Sequence, residues 1–213
     1  MDHVTLTPYP FPEGVTVPRL MPFQEYPWNG DGYLAAEVLR LKATHGLRFA
    51  VETGMCLGST TCWLSEYFDQ TVTCEVNEQY GNIGMARAGG RKGVLVFPVS
   101  SPRIVGARHP GVDANKSFYF LDAHWGPSCP LLDELEAIAR TNVKPCIVIH
   151  DFQVPGTDFG FDKMPDGRPF NLDLIQGHLD AIYGVDGWKH NYPTKVEGAR
   201  RGWLSVEPCV APH

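Results

Sequence analysis

The stretch FAVETGMCLGSTTCWLSE, residues 49–66, runs from an apolar, β-branched segment through two glycines into a segment with helical character. A glycine turn between a strand and a helix is common and is by itself weak evidence of function. Glu52 makes this turn unusual, because it puts a carboxylate at the end of the strand, just before Gly54 and Gly58. The turn therefore predicts a backbone that lets a ligand come close to an acidic group.

The same turn contains neither Lys nor Arg. Loops that bind phosphate do the reverse, since they present bare backbone N–H groups and often a lysine to an anion. We therefore expect a ligand with a positively charged or hydroxyl-rich portion rather than a triphosphate.

Short apolar segments alternate with helical ones along most of the chain, which predicts an α/β fold. The expected arrangement is a Rossmann-like, doubly wound, mostly parallel sheet with helices on both faces. Two later strands, at residues 187–192 and 201–208, predict a C-terminal antiparallel hairpin. The earlier strands are predicted at residues 49–53, 71–76, 94–99, 118–122 and 146–151, and the helices at 31–46, 60–68, 80–88, 131–139 and 170–184.

The chain of 213 residues, 43% of them hydrophobic, is expected to form a single domain over residues 1–213. Within it, residues 1–31 are rich in proline and aromatic residues and predict an extended N-terminal arm, and residues 32–213 form the Rossmann-like core. The apolar surface of the arm favours a homodimer. The turn-rich segment 156–170 is interpreted as a mobile loop near the site.

Composition restricts the partners. No apolar run approaches the roughly 20 residues of a membrane helix, and the N-terminus lacks the pattern of a signal peptide, so we expect a cytoplasmic protein with no membrane partner. A formal net charge of -6 argues against nucleic acid, and the basic groups at 89–93 and 198–202 are interpreted as solvated turns. The six cysteines form no C-x-x-C pair, which disfavours disulfides and structural zinc. Small molecules are the expected substrates.

Polar residues follow four of the predicted strands: Glu52, Glu75, Asp122 and the pair His150–Asp151. In a parallel sheet the carboxyl ends of the strands meet at one edge, where ligands bind. Glu75 lies about 20 residues beyond the glycine turn, a spacing typical of an acidic residue that binds a ribose. The alternative is that Glu75 caps the helix that begins near Gln79.

Four segments occur in a consistent order between residues 33 and 156: ETGMCLGST, TCEVNEQY, FLDAHW and IVIHDFQVPG. Together they resemble the class I S-adenosylmethionine-dependent methyltransferases. Within that superfamily the chain is most similar to small-molecule O-methyltransferases related to catechol O-methyltransferase and to the macrolide-sugar methyltransferases. The resemblance does not cover the N-terminal arm or fix the C-terminal third.

The resemblance implies S-adenosylmethionine as the cofactor, whose ammonium and sulfonium suit an acidic turn. Glu52 and Gly54 would lie beside its methionine moiety, Glu75 at its ribose, and Ser100 or Ser101 near its adenine. The full set of implied cofactor-binding residues is Glu52, Gly54, Gly58, Ser59, Glu75, Ser100, Ser101 and Asp122.

The resemblance also implies a possible divalent metal, Mg²⁺, Mn²⁺ or Fe²⁺, held by Asp122, His150 and Asp151. His150 departs from the oxygen ligand usual at its position, and imidazole suits Fe, Zn, Mn or Ni better than Mg²⁺. The lysine base of the catechol enzymes corresponds to Trp125 or Gly126 here. His124 is therefore the expected catalytic base, with Asp122 as the second catalytic residue.

A purely structural alternative remains for the residues assigned to the metal and the base. In it, His124 and His150 hydrogen-bond loop backbone while Asp151 caps the next turn. Four aromatic residues are candidates for lining the acceptor pocket or for simple packing: Trp28, Tyr33, Trp125 and Phe161.

The predicted function is S-adenosylmethionine-dependent O-methylation of a small-molecule acceptor, with possible metal assistance. One alternative is a non-haem iron oxygenase on the same fold, because two histidines and a carboxylate can form its metal triad. Another is a non-catalytic S-adenosylmethionine-binding protein. An NAD-dependent dehydrogenase is least favoured, since ETGMCLG differs from the dinucleotide-binding G-x-G-x-x-G pattern.

Overall fold

A computed structural model describes residues 25–107, 109, 114–124 and 129–209. In these residues a single sheet contains seven strands: β1 (Phe49–Thr53), β2 (Gln70–Cys74), β3 (Val94–Phe97), β4 (Ser117–Leu121), β5 (Cys146–His150), β6 (Trp188–Asn191) and β7 (Trp203–Pro208). Their spatial order is β3-β2-β1-β4-β5-β7-β6. Strands β1 to β5 are parallel, whereas β7 pairs antiparallel with β5 and β6 antiparallel with β7. The predicted fold class, including the C-terminal hairpin, is confirmed.

The α-helices of the described segments are α1 (Gly32–His45), α2 (Ser59–Tyr67), α3 (Glu78–Ala88), α4 (Ser101–Val105), α5 (Leu131–Arg140) and α6 (Leu172–Tyr183). They cover both faces of the sheet. Successive residues of a strand point to opposite faces and therefore contact different helices. Val51 packs with α4, α5 and α6, whereas its neighbour Ala50 packs with α1 and α2. Helix α4 was not predicted, since five residues are too few to show a helical period.

None of the helices in the described part of the chain has the length and apolarity needed to cross a lipid bilayer.

Helix α1 begins and ends at residues whose chemistry fixes its bounds. The Asp31 side chain accepts hydrogen bonds from the backbone N–H groups of Tyr33 and Leu34, which satisfies the first turn. Gly46 ends the helix in the left-handed conformation, with φ of 60°, as its position in the sequence predicts. Asp31 also accepts from the Trp203 indole at 3.3 Å, which ties the start of α1 to β7.

Residues 25–31, here called the N-terminal strap, differ from the predicted extended arm. Pro27–Gly30 form a 3-10 turn, and Trp28 and Asn29 both have left-handed backbones, with φ of 58° and 51°. The Trp28 ring is buried and lies edge-on to Trp63 and Phe120, at centroid distances of 5.0 and 4.8 Å. Trp28 is therefore a core residue and does not line an acceptor pocket. Residues 1–24 of the predicted arm lie outside the described residues.

The glycines of the turn between β1 and α2 are required by close backbone contacts. Gly54 has φ of 74°, and a Cβ built on it would lie 2.7 Å from the Asp122 carbonyl oxygen. Gly58 has φ of 75°, and its Cβ would lie 3.0 Å from the carbonyl oxygen of Gly84 in α3. The first contact brings the end of β1 into close packing with the end of β4, and the second brings the turn into close packing with α3.

Gly54→Ala should therefore destabilise the protein more than Gly46→Ala. Both glycines have a left-handed backbone, but a Cβ at Gly46 meets no heavy atom within 4 Å. We expect Gly46→Ala to cost about 1 kcal/mol of unfolding free energy from backbone strain alone, and Gly54→Ala about 3 kcal/mol or more. Urea unfolding of the two variants measures the difference. Equal losses would contradict the close contact between Gly54 and Asp122.

Candidate functional site

A pocket opens at the carboxyl ends of β1 and β4, where the sequence predicts one. Two of its residues, Tyr26 and Asn29, come from the N-terminal strap and were not predicted. No sequence pattern marks them, because they reach the pocket only through the fold of the strap. The lining consists of Tyr26, Asn29, Glu52, Gly54, Met55, Cys56, Leu57, Ser59, Thr60, Phe120 and Asp122.

Glu52 lies at the floor of this pocket and is almost completely buried, with 1% of its surface exposed. Its Oε2 accepts hydrogen bonds from the hydroxyl groups of Thr61 and Thr73, the second at 2.7 Å. Burial raises the pKa of Glu52 to about 8, against the opposing effect of these hydrogen bonds. A cationic ligand in the pocket would favour the ionised carboxylate.

Glu75 does not line the pocket around Glu52 but supports its wall. Its Oε2 accepts from the backbone N–H of Cys56 at 2.9 Å, and its Oε1 accepts from that of Asn77 at 2.8 Å. It thus joins the turns that follow β1 and β2. The alternative in which Glu75 caps α3 is wrong, because the Asn77 side chain accepts from Tyr80 N–H at the start of that helix. The ribose role of Glu75 stays a prediction.

The three predicted serines lie in different places. Ser59 lines the pocket and accepts a hydrogen bond from Arg87 Nη1 at 3.2 Å. Ser100 is exposed and precedes α4, and Ser101 is the buried first residue of that helix. Neither Ser100 nor Ser101 lines the pocket around Glu52, so their adenine role also stays a prediction.

A buried carboxylate that the sequence analysis missed lies on the same side as Ser101. Glu134, in the first turn of α5, is 1% exposed, and burial raises its pKa to about 6. Thr53 and Ser101 are its polar neighbours. The Thr53 hydroxyl in turn accepts a hydrogen bond from the Asp122 backbone N–H at 3.0 Å. Glu134 therefore lies beneath the strand ends that carry the site.

Five acidic and imidazole side chains meet beside the pocket and are here called the His–Asp cluster: Asp122, His124, His150, Asp151 and Asp162. His150 Nδ1 lies 3.2 Å from Asp122 Oδ1 and 3.5 Å from Asp151 Oδ2. His124 Nε2 lies 2.9 Å from Asp151 Oδ2, 3.6 Å from Asp122 Oδ1 and 3.9 Å from Asp162 Oδ2. The structure thus brings together all four residues that the sequence assigned to this group, and adds Asp162.

The purely structural alternative, in which the histidines hydrogen-bond loop backbone, does not describe these contacts. His124 and His150 face carboxylates rather than loop backbone. Asp151 has φ of 56°, a conformation that costs free energy in a residue other than glycine and that is often found at functional sites. Phe170 lies perpendicular to the His124 ring at 4.9 Å and fixes its plane.

Charge compensation dominates the electrostatics of the cluster. Burial lowers the pKa of His150, but the carboxylates of Asp151 and Asp122 outweigh it and hold that pKa well above its usual value. His124 shows the same balance, and its pKa is raised mainly by the hydrogen bond to Asp151. Burial would raise the pKa of Asp151, but the charge on His150 and the bond to His124 hold it well below its usual value.

Arg201 completes the cluster and corrects the interpretation of residues 198–202 as a solvated turn. Its Nε donates to Asp151 Oδ1 and its Nη2 donates to Asp162 Oδ1. Of the two arginines, only Arg200 resembles a solvated residue, with 66% of its side chain exposed against 28% for Arg201. Two adjacent arginines in a glycine-flanked turn give no signal as to which one points inward.

The donor atoms of Asp122, His150 and Asp151 lie within 4.8 Å of one another, as do those of His124, Asp151 and Asp162. Ligand bonds of about 2.0 to 2.2 Å separate neighbouring donors by roughly 3 to 3.6 Å, which fits the two separations measured from His150. The first group therefore suits a divalent ion that accepts a nitrogen ligand. Within the described segments, no such group contains both histidines and a carboxylate.

The remaining acceptor-pocket candidates are less defined. Tyr33 is 42% exposed and Phe161 is half-buried, while Trp125 and Gly126 lie outside the described residues. The segment 156–170 lies beside the cluster, as predicted. Two backbone hydrogen bonds join it to neighbouring segments: Asp162 N–H donates to Asp151 C=O at 2.8 Å and Gly160 N–H donates to Arg200 C=O at 2.9 Å. The mobility of this segment stays a prediction.

Comparison with solved structures shows that the chain shares its fold with several O-methyltransferases. The O-methyltransferase TomG of Streptomyces achromogenes, involved in tomaymycin synthesis and solved with S-adenosylmethionine, is 14% identical with a TM-score of 0.57, over 83% of this chain and 79% of that one. An O-methyltransferase of Bacillus cereus, solved with S-adenosylhomocysteine, is 16% identical with a TM-score of 0.55, over 84% and 81%. A putative O-methyltransferase of Klebsiella pneumoniae is 12% identical with a TM-score of 0.55, over 84% and 81%. No protein-family model matches the sequence, and no curated protein matches it significantly.

The raised pKa of Glu52 predicts a pH-dependent stability. A carboxyl group with a pKa of about 8 in the folded protein, above its unfolded value, stabilises the fold fully at low pH. This contribution is lost as the pH rises towards 8. Glu52→Gln should gain roughly 2 to 3 kcal/mol relative to wild type between pH 6 and pH 8. Urea unfolding across this range measures the shift, with the exposed Glu66→Gln as control, and parallel pH curves for wild type and Glu52→Gln would contradict it.

Proposed function

We propose that this chain transfers the methyl group of S-adenosylmethionine to a hydroxyl oxygen of a small-molecule acceptor, assisted by a divalent metal. The observation that carries the proposal is the position of Asp122. This residue lines the pocket that contains Glu52, and it also belongs to the His–Asp cluster. A donor in the pocket and an acceptor at the cluster would meet at this side chain.

The pocket chemistry supports S-adenosylmethionine as the donor. Glu52 supplies an acidic floor for a ligand that carries an ammonium and a sulfonium, and Gly54 lines the same pocket. Gly58 does not line it but lets the turn pack closely against Gly84 of α3. Two of the similar structures, from S. achromogenes and B. cereus, were solved with the donor or its demethylated product. Glu75, Ser59 and one of the serines at 100 and 101 complete the proposed binding set.

In the proposed reaction the acceptor oxygen attacks the methyl carbon in line with the carbon–sulfur bond. The C–O bond forms as the C–S bond breaks, S-adenosylhomocysteine leaves, and the hydroxyl proton passes to a base. Orientation of the two reactants and removal of this proton supply most of the catalysis.

His124 is the proposed base. When its Nε2 donates to Asp151, its Nδ1 carries the lone pair that accepts the proton. Asp151 then stabilises the imidazolium that forms. This assigns the two residues a joint role in proton transfer.

Asp122, His150 and Asp151 would hold the proposed metal, whose chemistry when bound is to lower the pKa of a hydroxyl group coordinated to it. The imidazole ligand favours Mn²⁺, Fe²⁺ or Zn²⁺ over Mg²⁺. An oxygenase with a triad of two histidines and one carboxylate is a weaker alternative, because the two histidines fall in different donor groups. Oxygen consumption with the iron-loaded protein tests it directly.

A small-molecule acceptor, the absence of a nucleic-acid partner, a cytoplasmic location and a homodimer belong to the same proposal. A non-catalytic binding protein is the remaining alternative. It would bind S-adenosylmethionine tightly yet form no S-adenosylhomocysteine with any member of a panel of hydroxyl acceptors.

The donor site is tested by calorimetric titration with S-adenosylhomocysteine. Glu75→Ala should weaken binding by about 1 to 3 kcal/mol, because charge-assisted hydrogen bonds to the ribose and to the Cys56 N–H are lost. The matched control is Glu78→Ala, which removes an exposed carboxylate three residues away. Unchanged affinity in Glu75→Ala would remove Glu75 from the site.

The cluster is tested by metal removal. If Asp122, His150 and Asp151 bind a metal, chelator should abolish formation of S-adenosylhomocysteine with a hydroxyl acceptor, and Mn²⁺ should restore it better than Mg²⁺. If His124 acts as the base without a metal, chelator should have no effect and His124→Ala should cost about 10²- to 10⁴-fold in rate.

Asp158→Asn, which changes an exposed aspartate, is the control for these variants. Full activity that survives chelator as well as the combined change of Asp122 and His124 to Ala would show that the cluster is structural.

A further inference from the structure

We propose that Arg201 is a positioning residue that orients Asp151 towards both histidines of the His–Asp cluster. The inference rests on the function proposed above for the use of the cluster, but the orientation itself is a property of the protein alone. Arg201 touches neither the pocket around Glu52 nor either histidine in the contacts described. It acts through the two carboxylates that it binds.

The contacts of Asp151 divide cleanly between its two oxygens. Oδ1 accepts from Arg201 Nε, while Oδ2 lies 2.9 Å from His124 Nε2 and 3.5 Å from His150 Nδ1. Because Arg201 donates to Oδ1, rotation of the Asp151 carboxylate about its Cβ–Cγ bond would break this hydrogen bond. Oδ2 is therefore kept on the side of the two histidines.

The backbone around Arg201 is itself held in place. Arg201 forms a β-bridge with Gly160, and the next residue, Gly202, donates to Gly160 C=O at 2.8 Å and accepts from Phe152 N–H at 2.9 Å. Arg200 has a left-handed backbone, with φ of 55°, which sends neighbouring side chains in different directions. The Arg201 side chain thus reaches Asp151 from a fixed backbone position just before β7, which begins at Trp203.

The geometry calls for a guanidinium rather than any cation. Arg201 reaches Asp151 through Nε and Asp162 through Nη2, two donors in one rigid plane. A lysine ammonium is a point charge on a flexible stem and cannot reproduce that fork. Asp162, in the segment 156–170, accepts from Nη2 and so helps to fix the orientation of the guanidinium.

Removing the charge of Arg201 would have two opposing effects on the binding of a cation. It would abolish the repulsion between the guanidinium and the cation, and it would also release the Asp151 carboxylate from its orientation. Arg201→Lys keeps the charge and removes only the fork, so it isolates the orientation. Arg200→Lys is the matched control, because Arg200 is the adjacent residue and its side chain, among the described residues, pairs only with the exposed Asp158 at 3.5 Å.

The first measurement is the affinity for Mn²⁺, determined by calorimetry on the metal-free full-length protein. Arg201→Lys should weaken binding about 10- to 100-fold, as loss of residues that orient metal ligands typically does, and Arg200→Lys should not change it. Thermal unfolding of the metal-free variants confirms that the fold is intact. Wild-type affinity in Arg201→Lys would overturn the proposal.

The second measurement reads the orientation without a metal. Correlations between ring nitrogens and protons in the ¹⁵N-histidine-labelled protein, assigned with His124→Gln and His150→Gln, should shift for both rings in Arg201→Lys and for neither in Arg200→Lys. Unchanged ring signals in Arg201→Lys overturn the proposal. If wild type binds no Mn²⁺, the metal part of the proposed function fails, and this measurement alone decides the role of Arg201.

Discussion

The contact between the ends of β1 and β4 is the constraint on which the site depends. Gly54 has no Cβ because the Asp122 carbonyl oxygen occupies the space one would need, and the Thr53 hydroxyl accepts the Asp122 backbone N–H. These two contacts hold Asp122 at the boundary between the pocket and the His–Asp cluster.

Most of the fold could be predicted from the sequence, because alternating apolar and helical segments strongly favour a parallel α/β sheet. Because ligands bind at the carboxyl ends of parallel strands, the sequence alone then predicts that Glu52, Asp122, His150 and Asp151 lie at one edge of the sheet. The bounds of the predicted elements differ from the observed ones by at most two residues, since hydrogen bonding and capping decide them rather than the hydrophobic pattern. Asn77 illustrates this, because it begins α3 two residues earlier than the periodicity indicates.

The rest of the site could not be predicted, because it comes from segments without a local signal. Asp162 and Arg201 lie outside the helices and the seven strands, and Arg201 is 39 residues from Asp162 and 50 residues from Asp151 along the chain. Trp28 follows a proline-rich segment that favours an extended chain, yet burial of its large ring folds the strap into a turn. Glu134 sits on an amphipathic helix where a carboxylate is usually solvated, and only packing against α4 and the sheet buries it.

The C-terminal hairpin lies at the edge of the sheet, yet it contributes to the charge balance of the site through Arg201. Strands β1 to β5 alone would gather Asp122 and Asp151 at one edge, and the segment that follows β5 would add Asp162, with no guanidinium to offset three like charges. The arginine arrives only when β7 pairs antiparallel with β5. Docking of the hairpin therefore also completes the charge compensation that the two histidines begin, because it adds the guanidinium that pairs with Asp151 and Asp162.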